Sequence, residues 1–281
     1  MMSRPRIYTW RALTISLRQQ VCAPVALAVL CAFAFSQQSN HAQKVTLDAW
    51  FNSQQRQNAT GHMEYFHYKW NDATDSGFSL FADIWHGFGV ETDTLYASPT
   101  AENLKGSQFY IIVSPDIPVK NPNPHYMQEQ DATQVASWVK QGGVLILMEN
   151  DPANADIEHL NVLADRFGIH FNPVLSHHVV GDQILPGRIS ADGLPFQRRH
   201  TLYMKDTCTM SLQGRATPLL KDSSGVVMAT ARHGKGTVFA VIDPWLYNEY
   251  TNGKNLPPEY DNLAAGKELL RWLVQQVPEK N

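Results

Sequence analysis

Hydrophobic positions along this chain change period several times after Val45, and the changes mark alternating strands and helices. KVTLDAW (44–50) reads as a first strand. GFSLFADIWHGFG (77–89) places Phe78, Phe81, Ile84, Trp85 and Phe88 at helical spacing, with Gly87 and Gly89 as its stop. VETDTLYA (90–97) is a short second strand. LKGSQFYIIVSPD (104–116) and VLILMEN (144–150) contain apolar runs without polar alternation, as expected of strands buried on both faces of a parallel sheet. DATQVASWVKQGG (131–143) between them predicts a helix with Asp131 as its N-cap and a glycine stop. NADIEHLNVLADRFGIHF (154–171) predicts another helix, a break at Gly168 and a short strand. From about 173 to 225, scattered Gly and Pro separate short β-like pieces, which predicts a hairpin-rich insertion or an antiparallel edge. GVVMATARHGKGTVFAVID (225–243) is a hairpin turning at HGKG, and YDNLAAGKELLRWLVQQV (260–277) is a closing amphipathic helix. Together these give an α/β domain over 43–281, with a mostly parallel sheet and helices on both faces.

Composition alters this picture at one place. Arg4, Arg6, Arg11 and Arg18 precede the apolar run VCAPVALAVLCAFAFS (21–36), the pattern of an export signal. Residues 1–42 are therefore read as signal peptide and short linker, with cleavage after Ser36 or Ala42 and an uncleaved anchor as the alternative. The mature chain is then periplasmic or extracellular and has no stable membrane span. Cys22 and Cys31 lie in the signal, so the mature chain keeps Cys208 alone and forms no internal disulfide. The net charge of −3 offers no basic footprint for nucleic acid.

Ligands of open α/β sheets bind outside the carboxyl ends of the strands. The first predicted strand delivers Asp48 and Asn52 there. The third delivers Ser114 and Asp116, followed by Lys120, Asn121, Asn123, His125 and Tyr126. The fourth delivers Glu149, Asn150 and Asp151, and the last delivers Asp243, Trp245, Tyr247, Asn248 and Glu249. Carboxylates and amides that fix hydroxyls, with rings that cover apolar faces, are what a sugar site uses. Asp116, Glu149, Asp243 and Glu249 are the candidate acids for cleaving a glycosidic bond, a reaction that needs two carboxyls about 5–10 Å apart. His67 lies in an aromatic loop and faces the pocket in this reading. His159 reads as an ordinary helix residue. No H-E-x-x-H pattern and no calcium loop is present, so no metal is expected, and no dinucleotide fingerprint calls for a cofactor. No G-x-S-x-G or G-x-C-x-G elbow exists, and Cys208 reads as packed.

FHYKWNDATDSGFSLFADIW (66–85), SPDIPVKNPNP (114–124), GGVLILMENDPANADIEHLN (142–161) and DPWLYNEYTNGKNLP (243–257) extend the pattern into a resemblance. Over about 45–277 the chain resembles a class I glutamine-amidotransferase-like domain of flavodoxin-like topology. More narrowly, it resembles the domain attached to, or encoded near, bacterial unsaturated rhamnogalacturonyl hydrolases. Amidotransferases need a cysteine nucleophile at the elbow and a His–Glu pair after a late strand. Here the expected elbow holds Glu149 or Asn150, and Asp243 has no neighbouring His, so glutamine hydrolysis is not expected. The resemblance implies a ligand drawn from pectin or rhamnogalacturonan, an acidic oligosaccharide. Lys120, His67 and Lys205 would offset the uronate charge. Asp116, Asn121, Asn150, Asp151, Asp243, Asn248 and Glu249 would meet hydroxyls, and Trp245 or Tyr247 would stack. Docking to a secreted glycosidase and hydrolysis by paired carboxylates are the alternatives.

Overall fold

The computed structural model describes residues 42–279; the proposed signal segment lies outside the described residues, apart from Ala42. In chain order the elements are β1 (Gln43–Asp48), β2 (Gln55–Gln57), β3 (Met63–Tyr65), α1 (Ser79–Gly87), β4 (Val90–Leu95), β5 (Phe109–Val113), α2 (Glu129–Gln141), β6 (Val144–Met148) and α3 (Ile157–Ala164). They continue with β7 (Ile169–Ser176), β8 (Arg188–Ala191), β9 (His200–Tyr203), β10 (Thr207–Leu212), β11 (Thr217–Asp222), β12 (Gly225–His233), β13 (Gly236–Val241) and α4 (Asn262–Val274).

Seven strands form one sheet in the order β11-β12-β13-β6-β5-β1-β4. The five from β4 to β13 run parallel. β12 and β11 add antiparallel at the β13 edge. The three central strands FYIIV, VLILM and GTVFAV are buried at every position, which is why they carry no alternation. At the β4 edge, VETDTL has exposed Glu91 and Asp93, and only its end residues are buried. Helices press large rings onto the sheet. Trp85 of α1 lies 4.8 Å from Phe109, Trp138 of α2 meets Tyr110 edge-on at 6.3 Å, and Trp272 of α4 meets Phe239.

Two expectations are refined. Asp131 is not the N-cap of α2; it is the third helical residue and accepts the Gln128 backbone N–H at 3.0 Å, completing a capping box with Gln128 as the cap. Not all of the β-rich stretch 173–225 stands apart. β7 with β10 and β8 with β9 form separate two-stranded sheets, whereas β11 is the outer strand of the main sheet. Val179, Tyr203, Leu256 and Tyr260 build a second small core with Ile184, Trp245 and Tyr250, which joins the loop after β7 to the loop after β13.

Candidate functional site

The carboxyl ends of β1, β5, β6 and β13 meet, and hydrogen bonds link the residues that leave them. Asp48 closes the turn after β1 by accepting Phe51 and Asn52 N–H at 2.8 and 3.2 Å, and it also accepts the Tyr110 hydroxyl at 2.8 Å. Asn52 donates through Nδ2 to the Ser114 carbonyl at 2.9 Å. Asn150 then spans to the Tyr68 hydroxyl at 3.4 Å and to Ser114 Oγ at 3.5 Å. Glu149 N–H donates to the Val241 carbonyl at 3.0 Å, which ties the end of β6 to that of β13 just before Asp243. The common rim required by the strand directions therefore exists.

Its floor is dry. Asp48, Asp116, Glu149 and Asp243 have no exposed surface. Burial raises the Asp48 carboxyl to about 6 and pushes Glu149 and Asp243 well above the usual carboxylate range. Glu149 Oε1 accepts the N–H of Asn150, and its Oε2 meets no partner. Asp243 accepts the N–H groups of Lys205 and Trp245 at 2.6 and 3.1 Å. Asp116 gathers Ser53 N–H, the Gln54 side-chain amide and the Asn121 side-chain amide, each at 2.8 Å. These acids fold the loops of the rim. None stands open to protonate a glycosidic oxygen. Cys208, the described chain's cysteine, is also buried, and burial followed by the charge of Glu149 raises its thiol pKa far up.

A cleft of about 470 Å3 opens beside this floor, between the β2–β3 hairpin and the loop after β5. Its nine lining residues include Ser53, Gln55, Tyr65, Lys120, Asn121 and His125; Lys120 is the ammonium group among them and none is acidic. Asp116 holds this wall from behind through Asn121, whose Oδ1 accepts Asn123 N–H at 3.1 Å. His125 stacks on Trp50 at 3.5 Å, and its Nδ1 carries a proton, because the facing Trp50 carbonyl 3.0 Å away can only accept. A larger cleft, about 930 Å3, lies beside α3 and contains none of the strand-end residues.

The remaining residues singled out in the sequence have other places. Glu249 caps α1, accepting the Ser79 hydroxyl and the Leu80 N–H at 2.8 Å. Tyr247 turns inward and stacks on Phe81 at 3.9 Å, fully buried. Asn248 is buried with both side-chain amide atoms unpartnered. Asp151 closes the turn before α3 by accepting Ala153 N–H at 2.8 Å and the Asn154 amide at 2.5 Å. Trp245 joins the second core, with Lys205 Nζ 5.9 Å from its ring. His67 is partly buried with Nδ1 unpartnered; burial, then the charges of Lys69 and Lys120, lower its pKa to about 4. Among the described residues no group of three or more His, Cys, Asp or Glu is placed to hold a metal.

Two features were missed. Lys69 is buried in the floor, donating to the Asn52 carbonyl and Oδ1 at 2.8 Å each and to the His67 carbonyl at 3.2 Å; burial lowers its pKa to about 8. The visible signal was a charge inside the aromatic run FHYKW. Strain is the second: of five described non-glycine residues with positive φ, His67, Tyr68 and Ser114 belong to this rim. Such backbone is costly by about 1–3 kcal/mol per residue and collects at functional sites.

No protein-family model matches the chain, and no curated protein matches it. Among solved structures, the N-terminal domain of mmIFT52 superposes with a TM-score of 0.60 at 14% identity, covering 83% of this chain and 97% of that one. The exo-β-1,4-mannosidase Op5Man5 from Opitutaceae bacterium strain TAV5 gives 0.48 at 13% identity, covering 86% of this chain and 37% of the mannosidase. A putative GMP synthase protein from Thermoplasma acidophilum gives 0.47 at 10% identity, covering 84% and 94%. The first is a likeness of fold alone, and the other two, below 0.5, define no shared topology. The class is thus an α/β domain with a mostly parallel seven-stranded sheet.

Proposed function

We propose that this chain is an exported, non-catalytic, amidotransferase-like domain that binds an acidic oligosaccharide, pectin-derived as the sequence motifs suggest. The proposed topology is flavodoxin-like. The parallel strands stand in the order second, first, third, fourth, fifth, and a ligand is expected where that order reverses, between β1 and β5. Phe109 and Tyr110 are successive residues of β5 that meet α1 and α2 respectively, which supports helices on both faces. The N-terminal arginines and apolar run support export.

The observation that carries the binding proposal is the cleft beside the β1–β5 end: an ammonium group, amides and hydroxyls line it, and no carboxylate does. Its composition suits a uronate carboxylate at Lys120 and sugar hydroxyls at Gln55 and Asn123, with the Tyr65 ring as an apolar wall. Calorimetry with oligogalacturonides is the test. Saturable binding weakened at least tenfold by Lys120→Ala is the expected result. Absence of binding to a broad uronide set would overturn it. The second reading, docking to a partner glycosidase, draws on exposed Val174, Leu175, Val180 and Leu185 around the insertion.

A further inference from the structure

At the amino ends of the central strands a second polar cleft of about 470 Å3 opens, with a different chemistry. β12 and β13 turn there at 233–236, beside the 3-10 turn Asp165–Phe167 and the turn around Gly214. Two backbone contacts fix its walls. Gly168 and Gly234 both have left-handed φ, and a Cβ on either would lie 2.2 Å from the Gln213 carbonyl oxygen or 2.5 Å from that of Lys140. The Gly168 turn is thus pressed on the turn around Gly214, and the Gly234 turn on the end of α2, which fixes the backbone of both walls.

Arg166, Arg215, Arg232 and His233 border this space. Arg166 is already matched by Glu129, and Asp165 is engaged by His170 Nδ1 at 2.8 Å. Arg232 is different. Its guanidinium donates to the Thr237 hydroxyl and, at 3.1 Å, to the Lys235 carbonyl. Both acceptors are neutral, so they aim the group without cancelling its charge. Arg215 makes no ion pair among the described residues and is exposed. Lys140 adds positive charge close to His233, whose pKa is held below its ordinary value by burial and then by that ammonium group. Arg232, itself exposed, is thus an oriented guanidinium without a carboxylate partner of its own, although the Asp165 carboxylate borders the same cleft, and such a group is suited to bidentate contact with an oxyanion.

We infer that this cleft is an anion site, in which Arg232 and Arg215 take one phosphate, sulfate or carboxylate group. The inference is independent of the oligosaccharide cleft, which opens at the other end of the strands. Calorimetric titrations of the full chain with phosphate, sulfate and galacturonate, ionic strength held constant with chloride, test it. Saturable binding of at least one anion is expected, weakened at least tenfold by Arg232→Gln and by Arg215→Gln, and unchanged by Lys254→Gln, which removes an exposed charge elsewhere. Arg215→Gln breaks no hydrogen bond of the fold, so the test stands even if Arg232→Gln unfolds. Binding of phosphate or sulfate without galacturonate assigns a free inorganic or ester anion; binding of galacturonate lost in Arg215→Gln assigns the saccharide carboxylate. Absence of saturable binding by all three, or binding indifferent to both arginine substitutions, overturns the inference.

Discussion

Tyr247 shows what residue type alone conveys. Its position just past a buried strand, beside Trp245, is correct for a stacking ring, and sequence cannot say which way the turn after Pro244 throws each side chain. Trp245 is held by its N–H on Asp243 and remains partly exposed, whereas Tyr247 goes under α1 against Phe81. Its hydroxyl is buried without a partner. Removing an unsatisfied buried hydroxyl relieves a desolvation cost of about 1–3 kcal/mol, less whatever the vacated volume loses in packing. Tyr247→Phe is therefore expected to be neutral or stabilising by about 1 kcal/mol in urea denaturation and to leave uronide affinity unchanged. A loss of affinity would return Tyr247 to the ligand set. Lys69 is the converse case: a lysine in an aromatic run looks like surface, and only the fold brings the Asn52 and His67 carbonyl oxygens around its ammonium group.

At the scale of elements, local chemistry was the readable part. FYIIV and VLILM declared buried strands because every position had to be apolar, and the HGKG turn placed β12 and β13 within a residue of where they lie. What sequence could not supply was partnership over distance. Glu249 follows the last parallel strand, so it seemed part of the rim; the chain instead returns it to the first turn of α1, 170 residues earlier. A carboxylate there meets free backbone N–H groups and the positive end of the helix dipole. Glu249→Ala is expected to destabilise by about 1 kcal/mol. Ser79→Ala in the same background should add less than it does alone, because the two share one hydrogen bond; a double-mutant cycle by chemical denaturation reads the difference. Full additivity would dissolve the proposed cap.

Across the whole molecule, the buried acids set an unusual pH response. Asp48, Glu149 and Asp243 have folded pKa values raised by burial above their unfolded values near 3.8 or 4.5. The folded state keeps protons there that the unfolded state has released, so their contribution is full below pH 4 and is lost as pH rises, through about 6 for Asp48 and higher for the other two. Asp222 acts in the opposite direction. Burial pushes it up, but hydrogen bonds from His177 and Ser224 prevail and bring it down to about 2, so its contribution is present above pH 4 and lost as pH falls toward 2. Hydrogen bonds outweigh burial in the same way at Asp72, Asp261 and Glu268. Buried His67 opposes Asp48: its folded pKa is lowered to about 4, so its contribution grows as pH rises from about 4 to 6.5 while that of Asp48 is lost, which leaves Glu149 and Asp243 to set the limb above pH 5. Thermal melts of wild type and variants from pH 3 to 8 separate these groups, with the wild-type Tm expected to fall on the acid side as Asp222 protonates. Glu149→Gln keeps the shape of the side chain, removes its proton linkage and should flatten the limb above pH 5; Asp222→Asn should flatten the acid limb. A Glu149→Gln variant whose Tm runs parallel to the wild type's from pH 5 to 8 would mean that water reaches Glu149, and the strand-end floor would then be an open basin into which a ligand carboxylate or hydroxyl could descend.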